Sequence, residues 1–299
     1  MLSNQQLPLG RPSAPIFGNP LESTSVLAIL WQPAFATLAS SMANKCLFCG
    51  NEGMQLSNEH VVPKWLLEYL QLPDDDQLFQ AIADTTTGEL TEAPRVHSTF
   101  NFVQGSVCKI DCNEGWLNRL EEQARPLLKP LMDNTISVTG LNTIGRSIVG
   151  KWAVKTAYLH TWASPLKRPV PVEHLRPLYG DFGLPLSTVS VFAMQHAFKQ
   201  PSAYVQSWFW PQWGRPYEKS PGESPDDAYK IGMQFKHLYL LVVFWPNPNS
   251  TFMLMPFHTP VVPITGPPWP VFSGRVPVGS GPIDTLVGFT NWLMAWNQQ

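Results

Sequence analysis

The four cysteines of this chain lie in two close pairs, and their spacing constrains the fold more than any other feature. Cys46 and Cys49 are separated by two residues, and Cys108 and Cys112 by three. Thiolates at such spacings on a turn can reach one tetrahedral metal ion at about 2.3 Å, and two pairs complete a four-cysteine shell. The spacing therefore predicts a zinc site that joins two distant segments of the chain.

Two disulfides are the main alternative use of these cysteines. A disulfide framework is typical of small secreted domains that lack a sufficient hydrophobic core. This chain has 299 residues, of which 44% are hydrophobic, so zinc is the better explanation. Because four cysteine ligands leave no open coordination position, we expect the zinc to hold the fold and to take no part in chemistry.

A second motif lies between and beside the cysteine pairs. The chain reads Glu-His-x2-Pro-Lys-Trp-Leu from Glu59 and Cys-Asn-x2-Trp from Cys112. Over residues 46–128 this order resembles the HNH endonuclease family, in particular its zinc-stapled subgroup. The resemblance implies a ββα-metal module with a treble-clef-like fold, in which two strands and a helix surround the site. It also implies hydrolysis of nucleic-acid phosphodiester bonds with one divalent ion.

The resemblance assigns three catalytic residues. His60 matches the general base, Glu59 matches a metal-binding acid, and Asn113 matches the last metal-binding position. A histidine can accept a proton from water near neutral pH, and Mg²⁺ or Mn²⁺ held by oxygen ligands can neutralise the charge that gathers on the phosphate. Each residue also has an ordinary structural explanation: Glu59 as a surface carboxylate, His60 as a core imidazole and Asn113 as the N-cap of the following helix.

One position of the family pattern has no clean counterpart. The middle asparagine is expected a few residues before the second cysteine pair, whereas Asn101 and His97 precede Cys108 by seven and eleven residues. We interpret both as residues that support the site or the strand and not as ligands. The mismatch leaves a second function open, namely a non-catalytic, zinc-stabilised module that binds nucleic acid or protein.

The charge balance limits how the protein could hold a nucleic acid. Lys and Arg number 20 against 22 Asp and Glu, which gives a net charge of −2, so bulk electrostatic attraction to DNA is excluded. Binding must depend on local cations, and we expect the partner to be nucleic acid, with DNA as the substrate. The candidate contacts are Lys64, Arg119, Lys151 and Lys155, of which the last two are four residues apart and share a helix face.

Composition divides the chain into three parts. Residues 1–41 are rich in Pro, Ser, Gln and Asn, and we interpret them as a disordered or upstream extension before a start at Met42, with a signal peptide as the alternative. Their apolar run, residues 26–31, is too short for a bilayer, which needs about 20 residues, so we expect a cytoplasmic protein without membrane contact. Residues 42–135 form the predicted nuclease module.

Residues 136–299 form a predicted accessory α+β domain of unknown role, through which a regulatory partner could bind. Apolar residues at helical spacing predict a helix over residues 141–164, and we predict a final helix over residues 283–297. A turn at residues 247–250 favours a hairpin and a mainly antiparallel sheet. The predicted strands cover residues 188–194, 203–210, 233–245 and 251–257.

Overall fold

The structure is a computed structural model of the 299-residue chain. It describes the backbone and side chains of residues 45–72, 103–163, 169–183, 185–195 and 229–244. It also describes the backbone alone of residues 26–30, 79–83, 90–92, 196–207, 250–254, 262–265 and 293–297.

The described residues form four α-helices and ten strands. The helices are α1 (Lys64–Leu70), α2 (Asn118–Met132), α3 (Thr143–Ala163) and α4 (Val172–Leu175). A wide helical segment, Lys109–Leu117, leads directly into α2. The strands are β1 (Val26–Leu30), β2 (Leu56–His60), β3 (Phe79–Ala83), β4 (Leu90–Glu92), β5 (Val103–Cys108), β6 (Val189–Ser207), β7 (Tyr229–Phe244), β8 (Ser250–Leu254), β9 (Val262–Thr265) and β10 (Leu293–Asn297).

The strands form one larger sheet and two small ones. The larger sheet has the order β4-β3-β1-β6-β7, with β9 also paired to β6. Its longest pairing is the antiparallel one of β6 with β7, whereas β1 is parallel to both of its neighbours. The two small sheets, β2 with β5 and β8 with β10, are antiparallel. The described part of the chain is therefore α+β, as the sequence predicts.

The helix predicted over residues 141–164 is confirmed as α3, but three other predictions for the accessory region are wrong. The two strands predicted over residues 188–194 and 203–210 are not separate, since residues 189–207 form one long strand, β6, and residues 208–210 lie outside the described residues. The predicted hairpin does not form, since β8 pairs with β10. Residues 293–297 of the predicted final helix form β10, and residues 283–292 lie outside the described residues. A short apolar run fits helix and strand alike, and here β8 satisfies its backbone.

Part of the first segment is also ordered in the sheet. Strand β1 lies between β3 and β6, with Val26 opposite Phe79 and Leu27 opposite Tyr204. Residues 26–30 therefore pair within the larger sheet, and the division of the chain at residue 41 stays a prediction. The remainder of that segment lies outside the described residues.

One hydrophobic core runs from the first cysteine pair to the end of β7, and α3 lies in its middle. Every residue from Val149 to Thr161 is buried, which is the pattern of a helix segment covered on all sides. Trp152 packs edge-on against Phe235 of β7, with 5.7 Å between ring centroids. Residues on both sides of the predicted boundary near residue 135 share this core, and the boundary itself stays a prediction. None of the helices in the described ranges is long and apolar enough to cross a lipid bilayer.

Candidate metal centre and catalytic strand

The first cysteine pair lies on a tight turn that its own backbone holds closed. The Gly50 amide donates to the Cys46 carbonyl at 3.0 Å, and the Cys46 amide donates to the Asn51 carbonyl at 3.1 Å. Gly50 has a φ of 75°, a conformation that glycine adopts without the penalty of a side chain. The turn therefore directs both cysteine side chains to one side.

The turn docks on strand β5, which carries the second pair. The Leu47 amide donates to the Ser106 carbonyl at 2.9 Å, and the Cys108 amide donates to the Cys46 sulfur at 3.3 Å. Cys112 follows in the helical segment, which bends at Gly115 before α2 begins. A Cβ at Gly115 would lie 2.9 Å from the Ile110 carbonyl oxygen, so the bend requires glycine.

The four sulfur atoms form a compact cluster. All of them lie within 4.8 Å of one another, with 3.6 Å between Cys46 and Cys112 and 3.8 Å between Cys49 and Cys108. Four thiolates around a tetrahedral zinc at about 2.3 Å would be about 3.8 Å apart. All four cysteines are free, and the distances rule out the disulfide alternative, since a bonded pair lies at about 2.05 Å. The cluster could therefore bind a metal ion.

The thiols differ sharply in acidity. The hydrogen bond between the Cys46 and Cys112 sulfur atoms lowers the pKa of Cys46 to about 4, and it raises the pKa of Cys112 well above its ordinary value. Burial raises the pKa of Cys49 to about 11. On its own the cluster thus favours a thiolate at Cys46, and a bound cation would be needed to deprotonate Cys49 and Cys112 as well.

The strands and helix of the predicted catalytic module follow one another around this cluster. Strand β2 pairs with β5, with Leu56 opposite Cys108 and His60 opposite Val103, and the helical segment then leads into α2. Strands β3 and β4 of the larger sheet occupy part of the long connection between β2 and β5. Two paired strands and the start of a helix thus adjoin the sulfur cluster, and the ββα-metal module that the resemblance implies stays a prediction.

The structure brings Asn113 beside the strand that carries His60. His60 is the last residue of β2 and is half-buried. The amide nitrogen of Asn113 donates to the Ser57 hydroxyl at 2.8 Å and contacts the Asn58 carbonyl at 3.4 Å. Both contacts use the amide nitrogen of Asn113. The amide oxygen, which is the atom that a metal ion would bind, takes part in neither. The alternative role of Asn113 as an N-cap is wrong, because the helical backbone already begins at Lys109.

Glu59, by contrast, belongs to a buried ionic network. Its carboxylate accepts from the Lys155 amino group at 3.2 Å, and the same group donates to Glu121 at 2.6 Å. The second oxygen of Glu121 accepts from the indole N–H groups of Trp65 and Trp152, both at 2.9 Å. Glu59 is 8% exposed and Lys155 is 0% exposed. We call these five residues the buried network.

One lysine in the buried network faces two carboxylates. Burial raises the pKa of Glu59, and Glu121 adds to the shift while Lys155 opposes it. Burial lowers the pKa of Lys155, but the two carboxylates outweigh it and the pKa lies above its ordinary value. Glu121 takes the shorter contact with Lys155 and both indole donors, whereas Glu59 has the longer contact with Lys155. A carboxyl in this position is a poor ligand for a catalytic Mg²⁺.

The predicted nucleic-acid contacts fall into two groups. Lys155 is fully buried, and Lys151 is 6% exposed, with its amino group donating to the carbonyls of Gly180 at 2.5 Å and Asp181 at 3.3 Å. Burial lowers the pKa of Lys151 to about 8. The prediction that these two lysines contact nucleic acid is contradicted by their burial.

The other two predicted contacts are accessible. Lys64 is exposed at the start of α1. Arg119 is exposed on α2 and forms a two-pronged pair with Asp181, with both N–O distances 2.9 Å. Asn101 and His97, considered for the middle position of the family pattern, lie outside the described residues.

Sequence reasoning missed Glu121 and the indole groups of Trp65 and Trp152 as partners of Glu59. One signal for such a network was present, since Lys155 lies in an otherwise apolar stretch of α3 and a buried charge requires a partner. No pattern in the sequence identifies which carboxylates supply it.

Comparisons of the chain with protein-family models, with characterised proteins and with solved structures gave no match. The site therefore has to be interpreted from its own residues.

Proposed function

We propose that this chain is a metal-dependent endonuclease of the HNH type, with a structural zinc on its four cysteines. The observation that carries the proposal is the position of Asn113. It follows the last cysteine directly, and its side chain lies against Ser57 and Asn58 of the strand that ends in His60. Asn113 thus contacts the strand that carries His60, although the two come from distant parts of the chain, and it directly follows a cysteine of a sulfur cluster with zinc-like spacing.

The proposed roles follow from the chemistry of the side chains. His60 accepts a proton from the attacking water, and Asn113 offers an amide oxygen to the catalytic ion. Mg²⁺ or Mn²⁺, when bound, would supply positive charge at the scissile phosphate. The zinc, with four sulfur ligands, would fix the position of Asn113 relative to β2. The substrate under this proposal is nucleic acid, with DNA as the first choice, and the setting is the cytoplasm.

A specific observation favours a second candidate function. Glu59 is engaged by Lys155 inside the core, which leaves the proposed catalytic ion with fewer protein ligands than the family pattern supplies. A zinc-stabilised module that binds nucleic acid or a protein without cutting would tolerate this arrangement. Cleavage activity separates the two candidates.

The test is a plasmid-nicking assay on the purified full chain, with and without Mg²⁺ or Mn²⁺. His60→Ala should lower the rate by about 10²–10⁴, because general base catalysis contributes that much, and should keep its zinc by elemental analysis. His237→Ala, on β7, is the matched control and should cut like the wild type. If the wild type cuts no nucleic acid with either ion, the binding-module function replaces the nuclease.

Two further variants test the metal ligands. Asn113→Ala should lose activity that returns in part at high Mg²⁺, whereas Asn113→Asp keeps an oxygen ligand and should stay active. Glu59→Gln should retain activity within a few-fold if Glu59 serves the buried network. A large loss that high Mg²⁺ restores would instead make Glu59 a ligand.

A further inference from the structure

The burial of Lys151 and Lys155 removes half of the predicted nucleic-acid contacts, but the structure assembles other cations beside β2. Helices α1 and α2 run side by side, and each presents an i, i+4 pair to the other. Arg125 lies over the Trp65 ring at 5.5 Å, and Lys129 lies over the Tyr69 ring at 4.9 Å. Residues four apart on a helix share one face, so these contacts form two neighbouring cation–π pairs, the first at Trp65 and the second at Tyr69.

A third cation, from strand β7, contacts the second cation–π pair at Tyr69. The Lys236 amino group lies 3.9 Å from the Tyr69 ring centroid and 2.9 Å from an Asp133 carboxylate oxygen. Lys236 has a φ of 50°, which is uncommon for a residue with a side chain, and it lies where the pairing of β6 and β7 shifts register. The irregularity brings this lysine to the helices.

The cations on this face are only partly neutralised. The Tyr69 hydroxyl donates to Asp133, which also pairs with Lys236. Arg125 and Lys129 form no salt bridge with any residue in the described ranges, nor does Lys64, which precedes Trp65 on α1. Two other carboxylates, Glu68 and Glu122, are exposed on the same helices. We call Lys64, Trp65, Tyr69, Arg125, Lys129 and Lys236 the α1–α2 surface.

The α1–α2 surface lies close to the proposed catalytic residue along the chain. Lys64 follows His60 by four residues, and at about 3.6 Å per residue the two Cα atoms are no more than roughly 14 Å apart. A phosphodiester backbone that places one phosphate at His60 could therefore place a neighbouring phosphate near the first cation–π pair of this surface, at Trp65. Arg and Lys side chains are the usual partners of backbone phosphates, and aromatic rings beneath them limit the directions in which they point.

We propose that the α1–α2 surface binds the phosphodiester backbone of the nucleic acid on which the chain acts. The inference rests on the proposed function only for the identity of the ligand, since binding by this surface does not require cleavage. It replaces Lys151 and Lys155 by Arg125, Lys129 and Lys236 as the cations that meet the phosphates.

The experiment measures binding alone, in a His60→Ala background and without Mg²⁺ or Mn²⁺. Fluorescence anisotropy follows a labelled DNA duplex, the RNA duplex of the same sequence and the single DNA strand over a range of salt concentrations. Arg125→Gln and Lys129→Gln should each weaken binding roughly tenfold, as expected for loss of a charged hydrogen bond. Each should also reduce the slope of log affinity against log salt by about 0.9 on the duplex DNA.

The matched control is Lys45→Gln, which removes the same charge from an exposed lysine paired with Glu52 on the first cysteine turn. Its affinity and salt slope should equal those of the background protein, and the thermal melting of all variants should agree within a few degrees. If Arg125→Gln and Lys129→Gln both bind like Lys45→Gln, the cations only pack against Trp65 and Tyr69. The inference is then overturned, while the nuclease proposal stands. If the background protein binds none of the three probes, the inference also fails, and the nicking assay decides the nuclease proposal independently.

Discussion

Replacing Lys155 by methionine should destabilise the protein more than any other single change in the buried network. Methionine has a similar length and flexibility, so the change removes the charge and little volume. Lys155 is 0% exposed and is the partner of both Glu59 and Glu121. Removal leaves two carboxyl groups facing each other inside the core. Breaking a buried ion pair in this way costs about 3–5 kcal/mol of unfolding free energy.

The charges of the network give the order of three variants. With both carboxylates ionised, the native network carries one positive and two negative charges, Lys155→Met leaves two negative charges, and Lys155→Met with Glu59→Gln leaves one. Glu59→Gln alone leaves Lys155 paired with Glu121, so that the network carries one positive and one negative charge. We therefore expect Lys155→Met to be the least stable, the double variant to be intermediate, and Glu59→Gln to lie within about 1 kcal/mol of the wild type.

The measurement is urea unfolding of the full chain at pH 7, followed by tryptophan fluorescence. A lower midpoint at an unchanged slope gives the loss of unfolding free energy. A loss below about 1 kcal/mol for Lys155→Met, or an equal loss for Glu59→Gln, would refute the network as a lysine shared between two buried carboxyl groups.

Three other predictions test separate parts of the molecule. Purified protein should contain one zinc per chain by elemental analysis, and Cys112→Ser should lose zinc and melt at a lower temperature, because metal binding contributes to folding. Burial lowers the pKa of Lys230 to about 7 from the ordinary 10.5, so the unfolded state binds the extra proton between these pH values and the free energy of unfolding should rise from about pH 7 to 10.5. Lys230→Met should make this rise smaller in urea titrations, and the part that remains above pH 8 is the contribution of Lys151, whose pKa is about 8. Removal of residues 1–41 should lower the melting temperature, because β1 lies between two strands of the larger sheet, and an unchanged melting curve would contradict that pairing.

The local patterns of the sequence predicted the elements around the cysteines well. The two close pairs required a turn and a strand end that bring four sulfurs together, and that requirement is local enough to be visible in spacing. The apolar repeat over residues 141–164 likewise predicted α3, whose observed bounds are Thr143–Ala163. In both cases the signal is a short-range spacing of residues along the chain, a few positions apart, that is visible without knowledge of the tertiary contacts.

The pairing of strands depended on distant residues and was not predictable in the same way. Residues 293–297 carry apolar residues that suit a helix or a strand, and the decision rests with Ser250–Leu254, which supplies the hydrogen bonds. Strand β1 likewise depends on partners at Phe79–Ala83 and within β6. A short apolar run in a segment rich in proline and serine gives no indication of those partners.

The candidate site was predicted in its residue types but not in its charges. Glu59 and His60 are adjacent in the motif, yet neighbouring residues of a strand point to opposite faces, and Glu59 faces the core while His60 stays half-buried. On the core side of β2, Glu59 contacts Lys155 of α3, which lies 96 residues later in the sequence. A carboxylate cannot both neutralise this lysine and give its full charge to a catalytic ion. If the chain cuts nucleic acid, the catalytic ion must therefore be bound by Asn113 and by oxygen atoms of the substrate. The buried network then has a structural role, since it holds β2, and with it His60, against α3.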